Sequence, residues 1–299
     1  MRYSIIGFTF IFVSIVIFLL FIWNTVEYFG TESVSFMGKP EAYSILTQVD
    51  YFRNFNNLDY KLRNVTKNNV FDVYRNSIQD FTKEEKKALR WIVKKLDSKI
   101  RNYLPKRWCF IKTLNIEAEM PHTRGNCIVL PAQFISEIVE YKKRNKIPEY
   151  HSLTLIHEQI HVYQRQNPEL FEDLYVNYWN FTHSQNISAN AIHRNRTNPD
   201  GTDIGWYYRG KLLPVSIYKA NAKTIKDVDN MLFDGLNYLT MENSDYQHFF
   251  GSKNNYHPNE ISAHYFEKYF GNYFSKTGDG KTVEVEAYRK FKLWLNSQN

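Results

Sequence analysis

The sequence predicts an α+β fold that is preceded by one N-terminal transmembrane helix. Three observations support this class: a long apolar run near the N-terminus, short strand-like segments in the middle of the chain, and amphipathic helical segments on both sides of them. Because strands and helices come in separate runs, the pattern favours α+β over a doubly wound parallel sheet.

The composition limits the classes of protein that the chain can belong to. Its 299 residues are 43% hydrophobic and 17% aromatic, which excludes wholesale disorder. The net charge of +7 is modest for this length, so we expect no nucleic-acid partner. Two cysteines exclude a disulfide scaffold and a multi-cysteine zinc ribbon. Cys109 and Cys127 either pair across neighbouring strands or stay as buried thiols.

The run from Ile5 to Trp23 carries no charge. As a helix it is about 28 Å long, close to the ~30 Å hydrocarbon core of a bilayer. A cleaved signal peptide is the alternative, but its apolar region is shorter and ends in small residues. We therefore predict an uncleaved anchor over residues 1–28 that contacts lipid through residues 5–23. Arg2 before the run and Glu27 after it predict a single-pass membrane protein with its body on the non-cytoplasmic side.

The remaining chain divides into a juxtamembrane segment, residues 29–80, and a body, residues 81–299. Residues 43–80 either cover a cleft of the body or simply pack on it. Thr82 and Glu85 form a capping-box pattern at the start of a helix that Pro105 ends. Further helices are expected over residues 131–143, 152–166, 169–179, 258–274 and 283–295, strands over 108–119, 126–130 and 205–220, and a loop over 182–203.

The motif that carries chemistry is His157-Glu158-Gln159-Ile160-His161. Residues four apart on a helix share one face, so both imidazoles can converge on one Zn²⁺. Glu158 is rotated by about 100° and can act as general base on a metal-activated water. The alternative is an exposed polar face with incidental histidines. The apolar positions around the motif predict a buried helix, where imidazoles need partners, and this favours zinc.

A catalytic zinc site needs a third protein ligand. No histidine follows the motif closely, so a glutamate on a later helix is the other solution. Pro258 predicts a helix start, which puts Glu260 in the first turn, and Ala263 leaves room for close helix packing. An ordinary first-turn glutamate, favoured by the helix dipole, is the alternative. Glu169 and Glu172 follow the motif too closely to fold back easily.

His157-Glu158-x-x-His161 followed by Asn259-Glu260-x-x-Ala263 resembles the gluzincin branch of zinc metallopeptidases. The context from Leu153 to Arg165 is also similar to that of membrane-anchored proteins of large DNA viruses. The gluzincin resemblance implies a zincin-like body, with a small mixed sheet packed on the motif helix and a mostly helical C-terminal half. The motif lobe would reach about residue 180, and the lobe with the third ligand would start near 200. The implied ligands are His157, His161 and Glu260, and the implied base is Glu158.

The sequence departs from that family at one position. Many gluzincins place an aspartate four residues after the ligand glutamate to orient a ligand histidine, and here that position is His264. An orienting group would then come from elsewhere, such as Asp234 or Asp245. The resemblance also implies a substrate-binding strand along the cleft, and Asn126, Cys127 and Ile128 are its candidates. Candidate oxyanion donors are Tyr246, His248, Tyr256 and His257.

These patterns predict a membrane-anchored zinc metallopeptidase that cleaves a peptide or protein substrate. The alternative is a zincin-like membrane or virion protein that binds a partner without turnover. The intact Glu158 between the two histidines favours the enzyme.

Overall fold

The computed structural model describes residues 34–100, 107–201, 203–252, 256–271 and 284–298. The predicted anchor over residues 5–23 lies outside these residues. Within the described ranges, no helix has both the length and the apolar character needed to cross a bilayer.

The described chain mixes helices with strands, and the predicted α+β class is confirmed. Its longer helices lie close to the predicted bounds. The helices are α1 Lys39–Leu46, α2 Val49–Arg53, α3 Asn57–Leu62, α4 Val70–Ser77, α5 Lys83–Ile100, α6 Ala132–Lys143, α7 Glu149–Gln166, α8 Pro168–Asp173, α9 Ala189–Ile192, α10 Asp245–Phe250, α11 Pro258–Gly271 and α12 Glu286–Ser297. The strands are β1 Val34–Phe36, β2 Ile78–Gln79, β3 Trp108–Thr113, β4 His122–Arg124, β5 Cys127–Pro131, β6 Phe181–His183, β7 Trp206–Tyr208, β8 Leu213–Tyr218, β9 Val228–Phe233 and β10 Tyr238–Thr240.

The main sheet has the strand order β1-β3-β5-β4, and β2 pairs with the end of β3. Strands β1, β3 and β5 are parallel, whereas β4 is antiparallel to β5 at the edge. A disulfide between Cys109 and Cys127 links β3 to β5, so the paired alternative is the one observed. The sheet thus presents one antiparallel edge strand, β4, on the side of the motif helix α7.

Successive side chains of a strand point to opposite faces of the sheet, and both faces of this sheet are buried. Phe110, Ile128 and Leu130 pack into the core formed with α5, α6 and α7. Ile111 and Val129 face the opposite way, into a second core formed with α1, α2 and α4. The segment before residue 81 therefore supplies strand β1 and covers one sheet face. Residues on both sides of the predicted boundary at residue 81 therefore share one sheet and its cores.

The C-terminal half contains more strand than predicted. Strands β8, β9 and β10 form an antiparallel sheet, and β6 pairs with β7. The expectation of a mostly helical half is wrong for residues 206–240. Helices resume at α10, and α11 then packs along the motif helix α7 through buried residues that include Ile261 and Ala263. This pair of helices builds the candidate site.

Candidate metal centre

The motif helix α7 carries both motif histidines on one face. It begins after Pro148 and ends before Pro168, so the helix spans the whole motif. The imidazole rings of His157 and His161 lie 4.7 Å apart between centroids. The side chain of His161 is fully buried and that of His157 is mostly buried. The helical spacing thus brings the two rings together as the sequence predicts.

Glu260 comes to the same point from α11. His157 Nε2 lies 3.4 Å from Glu260 Oε2, and His161 Nε2 lies 3.7 Å from Glu260 Oε1. The candidate ligand atoms of all three residues lie within 4.8 Å of one another. Two ligands at zinc–ligand distances of ~2.1 Å in a tetrahedron are about 3.4 Å apart. The observed separations are therefore close to those a tetrahedral zinc site needs.

One atom of this cluster has no hydrogen-bond partner among the described residues. His161 Nε2 is buried and unpartnered. A buried polar nitrogen without a partner is costly, and a metal ion relieves that cost. Two imidazole nitrogens and a carboxylate are a common donor set for zinc, so the residues present fit this metal.

Each imidazole is also contacted at Nδ1, the ring nitrogen on the side away from the cluster. His157 Nδ1 lies 3.2 Å from Glu267 Oε1, and His161 Nδ1 lies 2.8 Å from Gln164 Oε1. An Nδ1–H that donates to these oxygens leaves the Nε2 lone pair facing the cluster, as a metal ligand requires. Gln164 is itself held, since its amide nitrogen donates to Asn259 O and Ser262 Oγ of α11.

Glu267 and Gln164 were not found by sequence reasoning. The predicted orienting groups were Asp234 and Asp245, and the structure contradicts both. Asp234 accepts backbone hydrogen bonds in its own turn, and Asp245 is exposed beside Arg209. Glu267 lies two helical turns after Glu260 on the same helix, and Gln164 lies one turn after His161. This spacing is the signal that could have identified them.

The three residues of the cluster differ in the direction in which their pKa values are shifted. Burial lowers the pKa of His161, which keeps its imidazole neutral at pH 7. Burial raises the pKa of Glu260, but the neighbouring His161 and His157 outweigh it, and the net pKa is well below the usual range. Burial lowers the pKa of His157, but its hydrogen bonds to Glu260 and Glu267 outweigh that effect and hold the pKa well above its usual range. Zinc binds neutral imidazole and ionised carboxylate, so His157 would release a proton on binding the metal.

Glu158 lies beside the cluster and is buried. Burial is the largest cause that raises the pKa of its carboxyl group, and the nearby Asp200, which hydrogen-bonds to it, raises the pKa further. Its Oε2 atom has no hydrogen-bond partner among the described residues. A buried carboxyl group with a raised pKa is suited to accept and return a proton.

The other candidates fall into two groups. Tyr256 lies at the site, because its hydroxyl accepts a hydrogen bond of 3.1 Å from Asn198, which also donates to Glu260. His257 instead caps α11, with Nδ1 accepting from Asn259 N and Nε2 at 2.7 Å from Asp203 O.

Tyr246 is a core residue that donates to Tyr256 O, and His264 is half exposed beside Glu267. Neither motif-proximal acid, Glu169 or Glu172, belongs to the metal cluster.

The segment predicted to bind substrate as a strand lies at an inner strand of the sheet. Cys127 and Ile128 belong to β5, which pairs with β3 on one side and β4 on the other, so its backbone groups are already used. Asn126 lies in the turn before β5. The edge strand next to the motif helix is β4, and its middle residue is Thr123. Residue spacing alone could not show which of two short segments becomes the edge.

No protein-family model, curated protein or solved structure matches this chain. The geometry of the site is therefore the observation that bears on its function.

Proposed function

We propose that the chain is a membrane-anchored zinc metallopeptidase with a zincin-like body. The observation that supports this most is the convergence of His157, His161 and Glu260, three residues from two helices, on one point beside Glu158. Glu260 is far from the motif in sequence, so chance spacing does not explain its position against both histidines.

Each residue of the site would have a distinct role in peptide hydrolysis. His157, His161 and Glu260 would hold Zn²⁺, which when bound polarises a substrate carbonyl and acidifies water. Glu158 would take the proton of the attacking water and return it to the leaving amine. The hydroxyl of Tyr256, which shares Asn198 with Glu260, would donate to the developing oxyanion.

The substrate class follows from the sheet. An extended peptide can add to an exposed sheet edge through backbone hydrogen bonds. Strand β4 is antiparallel, lies at the edge and packs near α7. A peptide paired with β4 would pass beside Glu158, so a peptide or protein is the proposed substrate.

The proposal also includes the side of the membrane on which the body lies. The apolar run over residues 5–23 would anchor the body on the non-cytoplasmic side of a membrane. The Cys109–Cys127 disulfide supports that side, since disulfides persist mainly in oxidising compartments.

Two variants of the full chain in detergent test the chemistry. His157→Ala should lose zinc, as measured by metal analysis after chelator washing. Glu158→Gln should keep zinc and lose about 10²- to 10⁴-fold in peptide turnover, because only the base is removed. Glu169→Gln, an exposed glutamate on α8, is the matched control and should keep both. Turnover by Glu158→Gln at the wild-type rate would refute the proposed base.

A second candidate function is a membrane-tethered binding protein that holds zinc without turnover. The observation that favours it is the chain segment lying over the site, in which Asn198 contacts Glu260 and Asp200 contacts Glu158. Retained zinc with no cleavage across a broad peptide library would support this alternative.

A further inference from the structure

The segment Asn195–Gly201, here called the strap, lies across the candidate site. Asn198 Nδ2 donates to Glu260 Oε1 at 2.6 Å. Two residues later, Asp200 Oδ1 accepts from the backbone N–H of Thr123 at 2.6 Å. The strap thus contacts a proposed metal ligand and the edge strand β4 at the same time.

Asp200 occupies the groups that a peptide substrate would need. The Thr123 N–H belongs to the middle residue of β4, where an added peptide strand would pair. The same aspartate hydrogen-bonds to the proposed base, Glu158. Arg165 of the motif helix holds the backbone in place, because its guanidinium donates to Asp200 O and to Pro199 O.

The other end of the strap is tied to the N-terminal helices. Thr197 Oγ1 donates to Asp59 Oδ2 at 2.9 Å, and Arg63 donates to Thr197 O at 2.9 Å. Asp59 and Arg63 are a buried ion pair at 2.6 Å. Asn56 also donates to Asn195 O at 2.7 Å. This set of bonds forms a latch that contacts the strap but not the proposed catalytic groups.

We propose that the strap is an autoinhibitory cover, which occupies the peptide-binding edge of β4 and must be displaced before a substrate binds. This inference rests on the proposed function. Its physical basis is competition, since Thr123 N–H and Glu158 cannot serve Asp200 and a peptide at once. The covered conformation is the latent one, and breaking the latch at Asp59 favours the open one.

Two variants of the full chain release the strap in different ways. Asp200→Ala removes its contacts with Thr123 and Glu158. Thr197→Val keeps the shape of the residue and removes the hydrogen bonds of its hydroxyl to Asp59 Oδ2 and Asn54 O, without touching the metal cluster. Asp229→Ala, an exposed aspartate on β9, is the matched control.

The measurement is the affinity of the zinc-loaded protein for a peptide hydroxamate, together with peptide turnover. We expect both release variants to raise the affinity and the turnover about ten-fold, since one lost charged hydrogen bond has an effect of this order, and the control to stay at the wild-type values. Amide hydrogen exchange within the strap should rise in Thr197→Val.

The outcomes separate the two proposals. If exchange rises in Thr197→Val while hydroxamate affinity stays the same or falls, the strap is not an inhibitory cover. If affinity rises in both release variants but none of the proteins cleaves a peptide, the inference holds and the hydrolase proposal fails. If the wild-type protein holds no zinc and binds no hydroxamate, both are overturned.

Discussion

The two motif imidazoles are held at Nδ1 by groups of different charge. Gln164 offers a neutral amide oxygen to His161, whereas Glu267 offers a carboxylate to His157. Burial raises the pKa of Glu267, but hydrogen bonds from His157 and His264 lower it to about 2, so this group is anionic at pH 7. An anionic partner makes an imidazole a stronger metal ligand.

Replacing this carboxylate tests its role. We expect Glu267→Gln to weaken zinc binding about 10- to 100-fold, because the amide can still orient His157 but no longer supplies charge. The measurement is the zinc dissociation constant by competition with a chelator. Glu242→Gln, an exposed glutamate, is the control. Equal zinc affinity in Glu267→Gln and the control would show that the contact with His157 is incidental.

At the residue scale, the sequence predicts what depends on local spacing. His157 and His161 share a helix face because of the helical period, and Glu260 follows from the helix start predicted at Pro258 together with the family resemblance. Asp200 could not be assigned, because its contact with Thr123 depends on how a long loop folds back over the sheet. Polar loop residues carry no periodic signal that links them to a distant strand.

At the scale of elements, the site depends on how closely α11 lies against α7. Ala263 is completely buried one turn after Glu260, and its small side chain permits this close approach. The predicted role of Ala263 in packing therefore agrees with its position in the helix pair.

A larger residue at this position should push the two helices apart. We expect Ala263→Leu to lower the free energy of unfolding by about 1–3 kcal/mol, as overpacked core sites do, and to weaken zinc binding by displacing Glu260. Urea unfolding and chelator competition measure the two effects. Ala189→Leu, at an exposed position on α9, should change neither. If Ala263→Leu lost stability but kept wild-type zinc affinity, Glu260 would not depend on this packing.

The elements differ in how well the sequence predicts them. Helix α5 has a capping box, in which Thr82 and Glu85 exchange hydrogen bonds of 2.8 and 3.2 Å, and its apolar period is regular. Strand β9 was missed, because Val228–Phe233 has two adjacent polar residues, Asp229 and Asn230, and no clear alternation. The segment becomes a strand because it pairs with β8. Such pairing with another part of the chain cannot be predicted from the six residues of the strand alone.

At the scale of the whole molecule, the disulfide joins two central strands of a sheet that is buried on both faces. We expect the double variant Cys109→Ser/Cys127→Ser to lose about 3 kcal/mol of stability, as closing a loop of this length predicts. Urea unfolding measures the loss, and thiol labelling of the denatured wild-type protein checks that the bond is present. Two reactive thiols in that labelling experiment would show that the cysteines are not paired in the isolated protein.

The N-terminal helices are joined to the rest of the body by a buried charge cluster around Glu117. Tyr51 and Tyr74 donate hydrogen bonds to its carboxylate, and Arg63 lies 3.1 Å away. Burial raises the pKa of Glu117, but Arg63, His122 and the two tyrosines together lower it to about 2. The folded protein thus keeps this group ionised at a pH where the unfolded chain, with a pKa near 4.5, is protonated.

This difference predicts how stability depends on pH. Because the folded-state pKa is lowered, the contribution of Glu117 is fully present above about pH 5 and is lost as the pH falls toward 2. It amounts to about 3 kcal/mol at neutral pH. We expect the free energy of unfolding, measured in urea, to fall over this range in wild type and to fall less steeply in Glu117→Gln. Glu84→Gln, at an exposed position of α5, should keep the wild-type slope. An unchanged slope in Glu117→Gln would show that other carboxyl groups cause the acid sensitivity.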